Sequence, residues 1–120
     1  MAEYRLARRE ASFADLIWTN EPINSGELVR LAEQELGWKK STTYTVLKKL
    51  CDRGIFRNEG STVSGVVTKE EFHARQSRQF VADVFDGSLP RFIATFIGHE
   101  RLSDEQAGEL ARLIDEYREG

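Results

Sequence analysis

The sequence predicts a mainly α-helical fold that contains one small β-hairpin. Apolar residues recur at helical spacing in six stretches of the chain, whereas residues 55–68 show short apolar runs on either side of a turn. Glycine, proline and helix-capping residues lie between these stretches and mark where each element ends. The predicted order is three helices, a hairpin and three further helices.

Size and composition limit the class of protein. The chain has 120 residues, enough for one domain or for a small domain with a helical appendage. It contains no run of 18 apolar residues, and its charged start lacks the apolar stretch of a signal peptide, so we expect an intracellular, cytoplasmic protein. With one cysteine and two histidines, neither a disulfide nor a structural zinc site is expected, and no cofactor is predicted.

The first three helices are predicted at 6–19, 24–36 and 40–53. Pro22 ends the first, because proline disfavours helical geometry in the residue before it. Asn24 can cap the second helix, and Gly37 ends it. The third helix places four residues on one face at helical spacing: Thr43, Val46, Leu47 and Leu50. Two helices joined by so short a turn predict a helix-turn-helix.

The hairpin is predicted from a change of period after Gly54. Residues 55–57 form the first expected strand, 58–61 the turn, and 62–68 the second strand. A hairpin that directly follows the second helix of a helix-turn-helix is a wing. The first domain, residues 1–68, is therefore predicted to be a winged helix-turn-helix.

Residues 69–120 are predicted to form a second domain of three helices. About fifty residues bury too little apolar surface for stability alone, so these helices need a partner. Self-association into a symmetric homodimer is favoured, and packing back onto the first domain is the alternative. The residues assigned to dimerisation are Phe80, Val84, Leu89, Phe92, Ile93, Phe96, Leu110, Leu113, Ile114 and Tyr117.

Charge is distributed unevenly along the chain. The net charge is −3, but residues 38–57 hold six basic residues and one acidic residue, a balance of +5. Residues 99–120 hold three basic and seven acidic residues, a balance of −4. Such asymmetry indicates that the third helix meets an anion, and double-stranded DNA is the partner we predict. The alternative is a basic but merely solvated helix face.

The third helix is the candidate recognition helix, whose N-terminus would enter the major groove. Hydroxyl side chains there can contact phosphates, base edges or thymine methyl groups, and lysines can contact the phosphate backbone. Two alternatives remain open: Ser41 as a helix cap, and the wing as a plain solvated hairpin. The predicted DNA-binding residues are Lys39, Lys40, Ser41, Thr42, Tyr44, Thr45, Lys48, Lys49 and Arg57.

The sequence disfavours one other class of function and leaves a second open. An enzyme is not expected, because no nucleophile–base pair and no set of metal ligands is visible in the sequence. A protein-interaction module, in which the basic helix binds an acidic partner, is the main alternative to DNA binding. The single cysteine, Cys51, and both tryptophans, Trp18 and Trp38, are interpreted as packing residues.

Several segments in order resemble the penicillinase repressor family, which includes repressors of β-lactamase, methicillin-resistance and copper-transport genes. The resemblance extends from Leu6 to Tyr117, with Trp38 and the run 42–50 at its centre. The other segments that carry it are 16–18, 22–23, 26–28, 54–55, 70–72, 85–89 and 102–105, together with Phe80 and Phe96.

The resemblance implies a homodimeric repressor of transcription that binds a palindromic operator. It also implies DNA contacts by Thr42 and Thr45 and a basic role for Lys49. The chain departs from the family at Tyr44, where the family often has arginine or lysine, which leaves the operator sequence undetermined.

Release from DNA is the other point on which the chain departs from its family. In the β-lactam branch, an Asn-Phe bond in the short helix of the dimerisation domain is cut, and the matching pair here is Thr95-Phe96. The copper branch carries C-terminal Cys-x-Cys motifs, which this sequence does not contain. Copper sensing is therefore not expected, whereas proteolytic release by a membrane sensor protease stays open.

Overall fold

The computed structural model describes residues 4–119, and its elements follow the predicted order. The mainly helical fold with a small β wing is confirmed. Among these residues, no helix combines the length and the apolar character that crossing a membrane requires. The elements are α1 (Arg8–Asn20), β1 (Ile23–Asn24), α2 (Ser25–Leu36), α3 (Lys40–Asp52), β2 (Phe56–Glu59), β3 (Thr62–Gly65), α4 (Lys69–Phe85), α5 (Leu89–His99) and α6 (Asp104–Tyr117).

Capping residues begin and end several helices where the sequence predicts them. The Asn24 side chain accepts a hydrogen bond from the Gly26 N–H at 2.8 Å, which satisfies one free amide at the start of α2. Gly37 ends that helix with φ 70°, a left-handed conformation that glycine adopts without steric cost. Ser103 begins α6 by accepting from the Gln106 N–H at 3.1 Å.

The wing differs from its predicted form in the length of its strands. Strand β2 extends to Glu59 and β3 ends at Gly65, so the predicted four-residue turn and the second strand to residue 68 are wrong. The chain reverses through Gly60 and Ser61, which have φ of 57° and 67°. Positive φ at both central residues matches the twist of a two-residue hairpin, which lets pairing continue up to the turn.

A third strand, which the sequence analysis missed, completes the sheet. The two residues of β1 pair antiparallel with β3, and the strand order is β1-β3-β2. The pairing places Ile23 opposite Val63 and Asn24 opposite Thr62. Two residues are too few to show the alternation that predicts a strand. The short strand holds the start of α2 against the turn end of the wing, where the Ser25 N–H donates to the Ser61 carbonyl at 2.8 Å.

Gly65 lies where the end of α1 meets the base of the wing. A Cβ atom at this position would lie 2.7 Å from the Val67 carbonyl oxygen and 3.2 Å from the Trp18 indole nitrogen. The Trp18 Nε1–H donates to that same carbonyl at 3.1 Å, and the Gly65 N–H donates to the Glu21 carboxylate at 2.8 Å. Only glycine leaves room for both hydrogen bonds.

One hydrophobic core holds α1, α2, α3, the sheet and the start of α4. Trp38 is almost fully buried, with its ring centre 5.0 Å from that of Phe13, and Trp18 packs against the core from its edge. The prediction that both tryptophans pack is confirmed. The largest fully buried side chains are Phe13, Ile17, Leu28, Thr43, Leu47, Leu50, Ile55, Phe56, Val63 and Phe72.

Two compact units divide the chain, and the division falls between Gln79 and Phe80, within α4. The sequence predicts an earlier domain boundary, between residues 68 and 69. Phe72 explains the difference, because it is 1% exposed and its ring lies 5.4 Å from Trp18 and 5.5 Å from Tyr4. The first turns of α4 thus belong to the core of the first unit.

The second unit, from Phe80 onwards, has no comparable core within the described residues. No side chain of α5 or α6 is buried. Phe80, Phe85 and Phe92 pack their rings together, with centres 5.4–6.0 Å apart. Most of the large apolar side chains of this unit are exposed to solvent.

Replacing Phe72 tests whether the start of α4 supports the first unit. We expect Phe72→Ala to lower the free energy of unfolding by about 3–5 kcal/mol, because it leaves a cavity among aromatic side chains. Val66→Ala, at a half-exposed apolar position of the wing, should cost less than about 1 kcal/mol. Urea unfolding followed by circular dichroism gives both values, and equal losses would contradict the assignment of Phe72 to this core.

Candidate nucleic-acid interface

Helix α3 buries one face and exposes the other. Thr43, Leu47 and Leu50 point into the core, and the Thr43 hydroxyl donates to the Lys39 carbonyl at 3.1 Å. The helix turns 100° per residue, so the opposite face is fixed once these three are buried. That exposed face carries most of the residues predicted to bind DNA: Lys40, Ser41, Thr42, Thr45, Lys48 and Lys49.

The N-terminal end of α3 is open to an anion. Lys39 is the residue before the helix, and no side chain caps the first turn. Ser41 lies inside the helix, so it is not the capping residue that the alternative interpretation required. The free amides of the first turn carry partial positive charge. Lys39 and Lys40 are exposed, and within residues 4–119 neither forms an ion pair.

Arg57 extends the cationic surface onto the wing. It lies in β2 opposite Ser64, is exposed, and makes no ion pair with any residue that the structure describes. Ser61 and Thr62 at the turn are also exposed. Three cations without an acidic partner, Lys39, Lys40 and Arg57, therefore come from the start of α3 and from the wing of the same unit.

In the C-terminal half of α3, unlike at its start, the lysines are paired with carboxylates. Lys48 Nζ lies 3.0 Å from the Asp52 carboxylate, one helical turn further on. Lys49 Nζ lies 2.7 Å from the carboxylate of Glu10, which belongs to α1. Both lysines that the sequence assigns to phosphate contact are thus paired with acidic side chains.

Tyr44 lies at the edge of the exposed face, towards the wing. Its hydroxyl donates a long hydrogen bond of 3.4 Å to the Ser25 Oγ at the start of α2. With Leu47, Lys48, Cys51 and Asn58, it lines an open groove of about 320 Å³ between α3 and β2. Tyr44 therefore links α3 to α2 and forms one wall of this groove.

Cys51 is half-buried against the core, as its interpretation as a packing residue requires. Burial raises the pKa of the Cys51 thiol, and the nearby Asp52 carboxylate raises it further. The thiol is therefore neutral and weakly nucleophilic near neutral pH. Within residues 4–119, no three side chains of histidine, cysteine, aspartate or glutamate lie close enough together to hold a metal ion.

The second unit exposes large apolar side chains on α4, α5 and α6. Nine of the ten residues assigned to dimerisation are exposed, and Phe92 is half-buried. Ile114 is 65% exposed, although isoleucine is among the residues most often found inside proteins. The exposed residues are Phe80, Val84, Leu89, Ile93, Phe96, Leu110, Leu113, Ile114 and Tyr117.

The pair matched to the family's cleavage site, Thr95 and Phe96, lies inside helix α5. Both side chains are exposed. The backbone of this pair is hydrogen-bonded within the helix, so a protease could reach the bond only after α5 opens locally. Cleavage at this bond stays a prediction.

Comparison with known proteins decides the family. Residues 6–116 match the family model described as the penicillinase repressor. The chain belongs to the penicillinase repressor family. The range covers both compact units, as the resemblance seen in the sequence predicted. A family of repressors is not a class of enzymes.

Two relatives match over nearly their whole length. The penicillinase repressor of Bacillus licheniformis is 21% identical over 118 residues, which cover 95% of this chain and 92% of that protein. The methicillin resistance regulatory protein MecI of Staphylococcus aureus is 20% identical over 116 residues, covering 93% and 94%. Members of both antibiotic-resistance branches are thus similar to the chain from end to end.

A solved structure supports the winged fold. It is the solution structure of the monomeric form of Bacillus licheniformis BlaI in complex with the blaP half-operator. The match has a TM-score of 0.50 and 20% sequence identity, and it covers 59% of this chain and 93% of the other. The winged helix-turn-helix predicted from the sequence is confirmed.

The pairing of Lys48 and Lys49 with acidic side chains was not predicted from the sequence. The pairing of Lys48 with Asp52 has a sequence signal, since residues four apart are neighbours on a helix. The pairing of Lys49 with Glu10 has none, because it joins two helices 39 positions apart along the chain. Only the packing of α1 against α3 reveals it.

The chemistry of Cys51 is open to direct measurement. We expect iodoacetamide to alkylate the folded protein more slowly than the urea-unfolded protein near neutral pH, because the raised pKa leaves less thiolate. The rate should rise at a higher pH in the folded than in the unfolded protein. A folded protein that reacts as fast as the unfolded one would show that Cys51 is a reactive thiol.

Proposed function

We propose that the protein is a transcriptional repressor that binds a palindromic operator as a homodimer, with α3 in the major groove. The observation that carries this proposal is the joint position of exposed hydroxyls and unpaired cations at the uncapped start of α3, on a winged fold. The family and the repressor names of its relatives support the same function.

Each group at the start of α3 has a role in this proposal. Ser41 and Thr42 are exposed in the first turn and Thr45 in the next, and they would contact base edges and thymine methyl groups. Lys39 and Lys40 would neutralise phosphates beside the helix N-terminus, whose dipole favours the same anion. Arg57 would contact the phosphate backbone from the wing.

The paired lysines have a smaller role. Lys48 and Lys49 lie on the same exposed helix and stay candidates for phosphate contact. Each must leave a carboxylate before it can neutralise a phosphate, at a cost that Lys39 and Lys40 do not have. The first turn of α3 and the wing therefore supply most of the proposed electrostatic attraction.

The exposed apolar face of the second unit supports the homodimer. Water-exposed apolar side chains on α4, α5 and α6 would be buried if two copies met through this surface. A two-fold symmetric contact also suits a palindromic operator, whose half-sites are related by the same symmetry. Dimerisation and DNA binding then use different units of one chain.

Operator binding is tested with the full chain and a library of random duplex DNA. We expect repeated selection to enrich a palindrome, and Thr45→Ala to weaken binding to it by about 1–3 kcal/mol through loss of a base-edge contact. Thr19→Ala, at an exposed threonine at the end of α1, is the matched control and should bind normally. Absence of any sequence preference at low salt would reject the repressor and favour a protein-interaction module.

Dimerisation is tested by sedimentation of the full chain at micromolar concentration. We expect Ile114→Asp to shift the protein from dimer to monomer, because it places a charge on the proposed apolar contact. Arg112→Gln lowers the charge of the same helix by one unit on its opposite side, and should remain dimeric. A wild-type chain that sediments as a monomer, with or without DNA, would contradict the homodimer.

A further inference from the structure

Glu10 joins the first turn of α1 to the recognition helix. One carboxylate oxygen, Oε2, lies 2.7 Å from Lys49 Nζ, and the other, Oε1, accepts from the Ala7 N–H at 2.9 Å. Arg53 Nη1 lies further away, at 3.9 Å from Oε1. The carboxylate is therefore held by its own helix while it binds a cation of α3.

The two partners of this ion pair differ in burial. The Glu10 side chain is 13% exposed, whereas the Lys49 side chain is 59% exposed. The hydrogen bond from Lys49 lowers the pKa of the Glu10 carboxyl, with a further contribution from the Ala7 N–H, so the group is ionised near neutral pH. A fixed, partly desolvated carboxylate attracts Lys49 more strongly than a mobile surface carboxylate would.

Lys48 provides the contrast within the same helix. Its partner Asp52 is four residues away, and the two side chains are 77% and 67% exposed. Such a pair is screened by water and salt and contributes little free energy. Lys48 can thus exchange Asp52 for a phosphate at low cost, whereas Lys49 has to leave a shielded carboxylate.

Lys49 lies where a phosphate contact would be expected, one turn after Thr45 on the exposed side of α3. A cation that binds a phosphate releases counterions from DNA and makes binding more dependent on salt. A lysine that remains paired with Glu10 neither releases counterions nor adds to the salt dependence of binding. The ion pair therefore removes one cation from the DNA-binding surface without removing the residue.

We infer that Glu10 lowers the affinity of the protein for DNA by holding Lys49 in an ion pair, away from phosphate. The inference rests on the proposed function, because it assumes that α3 faces DNA. Glu10 acts as an affinity-setting residue, and it contacts no DNA itself. Within the recognition helix, the N-terminal half attracts phosphate while α1 restrains the C-terminal half.

The test compares Glu10→Gln with the wild-type full chain on one random-sequence duplex, by fluorescence anisotropy at several salt concentrations. Glutamine keeps an oxygen that can accept from the Ala7 N–H but loses the charge that holds Lys49. We expect tighter binding at low salt and a slope of log K against log salt that is steeper by about 0.9, the value for one added phosphate contact. Between 50 and 200 mM salt this is an additional loss of affinity of about three- to fourfold.

Asp15→Asn is the matched control, because it removes the same charge from the same helix. Asp15 pairs with Lys69 at 3.0 Å, and among the described residues it forms no hydrogen bond or ion pair with α3. We expect its salt slope to equal that of the wild type. An equal gain in Asp15→Asn and Glu10→Gln would show a general charge effect and overturn the inference.

Lys49→Met supplies a second test. Its first arm, in the wild-type background, does not require the Glu10 variant to fold. In the wild-type background the substitution should lower the salt slope by much less than about 0.9, because Glu10 holds Lys49 away from phosphate. In the Glu10→Gln background it should remove the added slope. A slope that falls by about 0.9 on Lys49→Met in the wild type would show that Lys49 already binds phosphate, against the inference.

The outcomes separate this inference from the proposed function. A wild-type chain with no salt-dependent binding to the duplex would reject both. Salt-dependent binding in the wild type, combined with no difference between Glu10→Gln and Asp15→Asn, would reject the role of Glu10 alone. Thermal unfolding of each variant confirms that the compared proteins are folded.

Discussion

Burial of one face of α3 is the constraint that determines which side chains of this helix are exposed to solvent. Thr43, Leu47 and Leu50 fill the core shared by three helices and the sheet, so the helix cannot rotate about its axis. The serine, the other two threonines and the lysines of the helix are exposed as a consequence. The hydrogen bond from the Thr43 hydroxyl to the Lys39 carbonyl satisfies the only polar group on that buried face, which makes the burial inexpensive.

The same packing decides which charges are available. A net charge of −3 disfavours binding to DNA, which is itself an anion. The basic cluster of residues 38–57 favours it. The structure divides that cluster. Lys39, Lys40 and Arg57 have no acidic partner among the described residues, while Lys48 and Lys49 are paired. The positive charge that this surface can offer to an anion thus depends on which basic side chains are paired with acidic ones, as well as on their number.

The two compact units differ in how far they bury their apolar side chains. The first unit buries Phe13, Phe56 and Phe72 completely. The second exposes most of its large apolar residues, and its aromatic rings pack against one another without being fully buried. A small unit of this kind gains stability when a second copy covers it. Because α4 begins in the first core and continues into the second unit, one helix joins the unit that carries α3 to the unit that exposes its apolar side chains.

The sequence by itself determined the order of helices and hairpin, the buried face of α3 and the family. These follow from local signals: periodicity, capping residues, and ordered motifs such as the run 42–50. Tertiary structure alone decided the pairing of β1 with β3, the extension of the first core to Phe72, and the ion pair between Glu10 and Lys49. Each of these joins residues distant in the chain, and periodicity cannot show which distant residues meet.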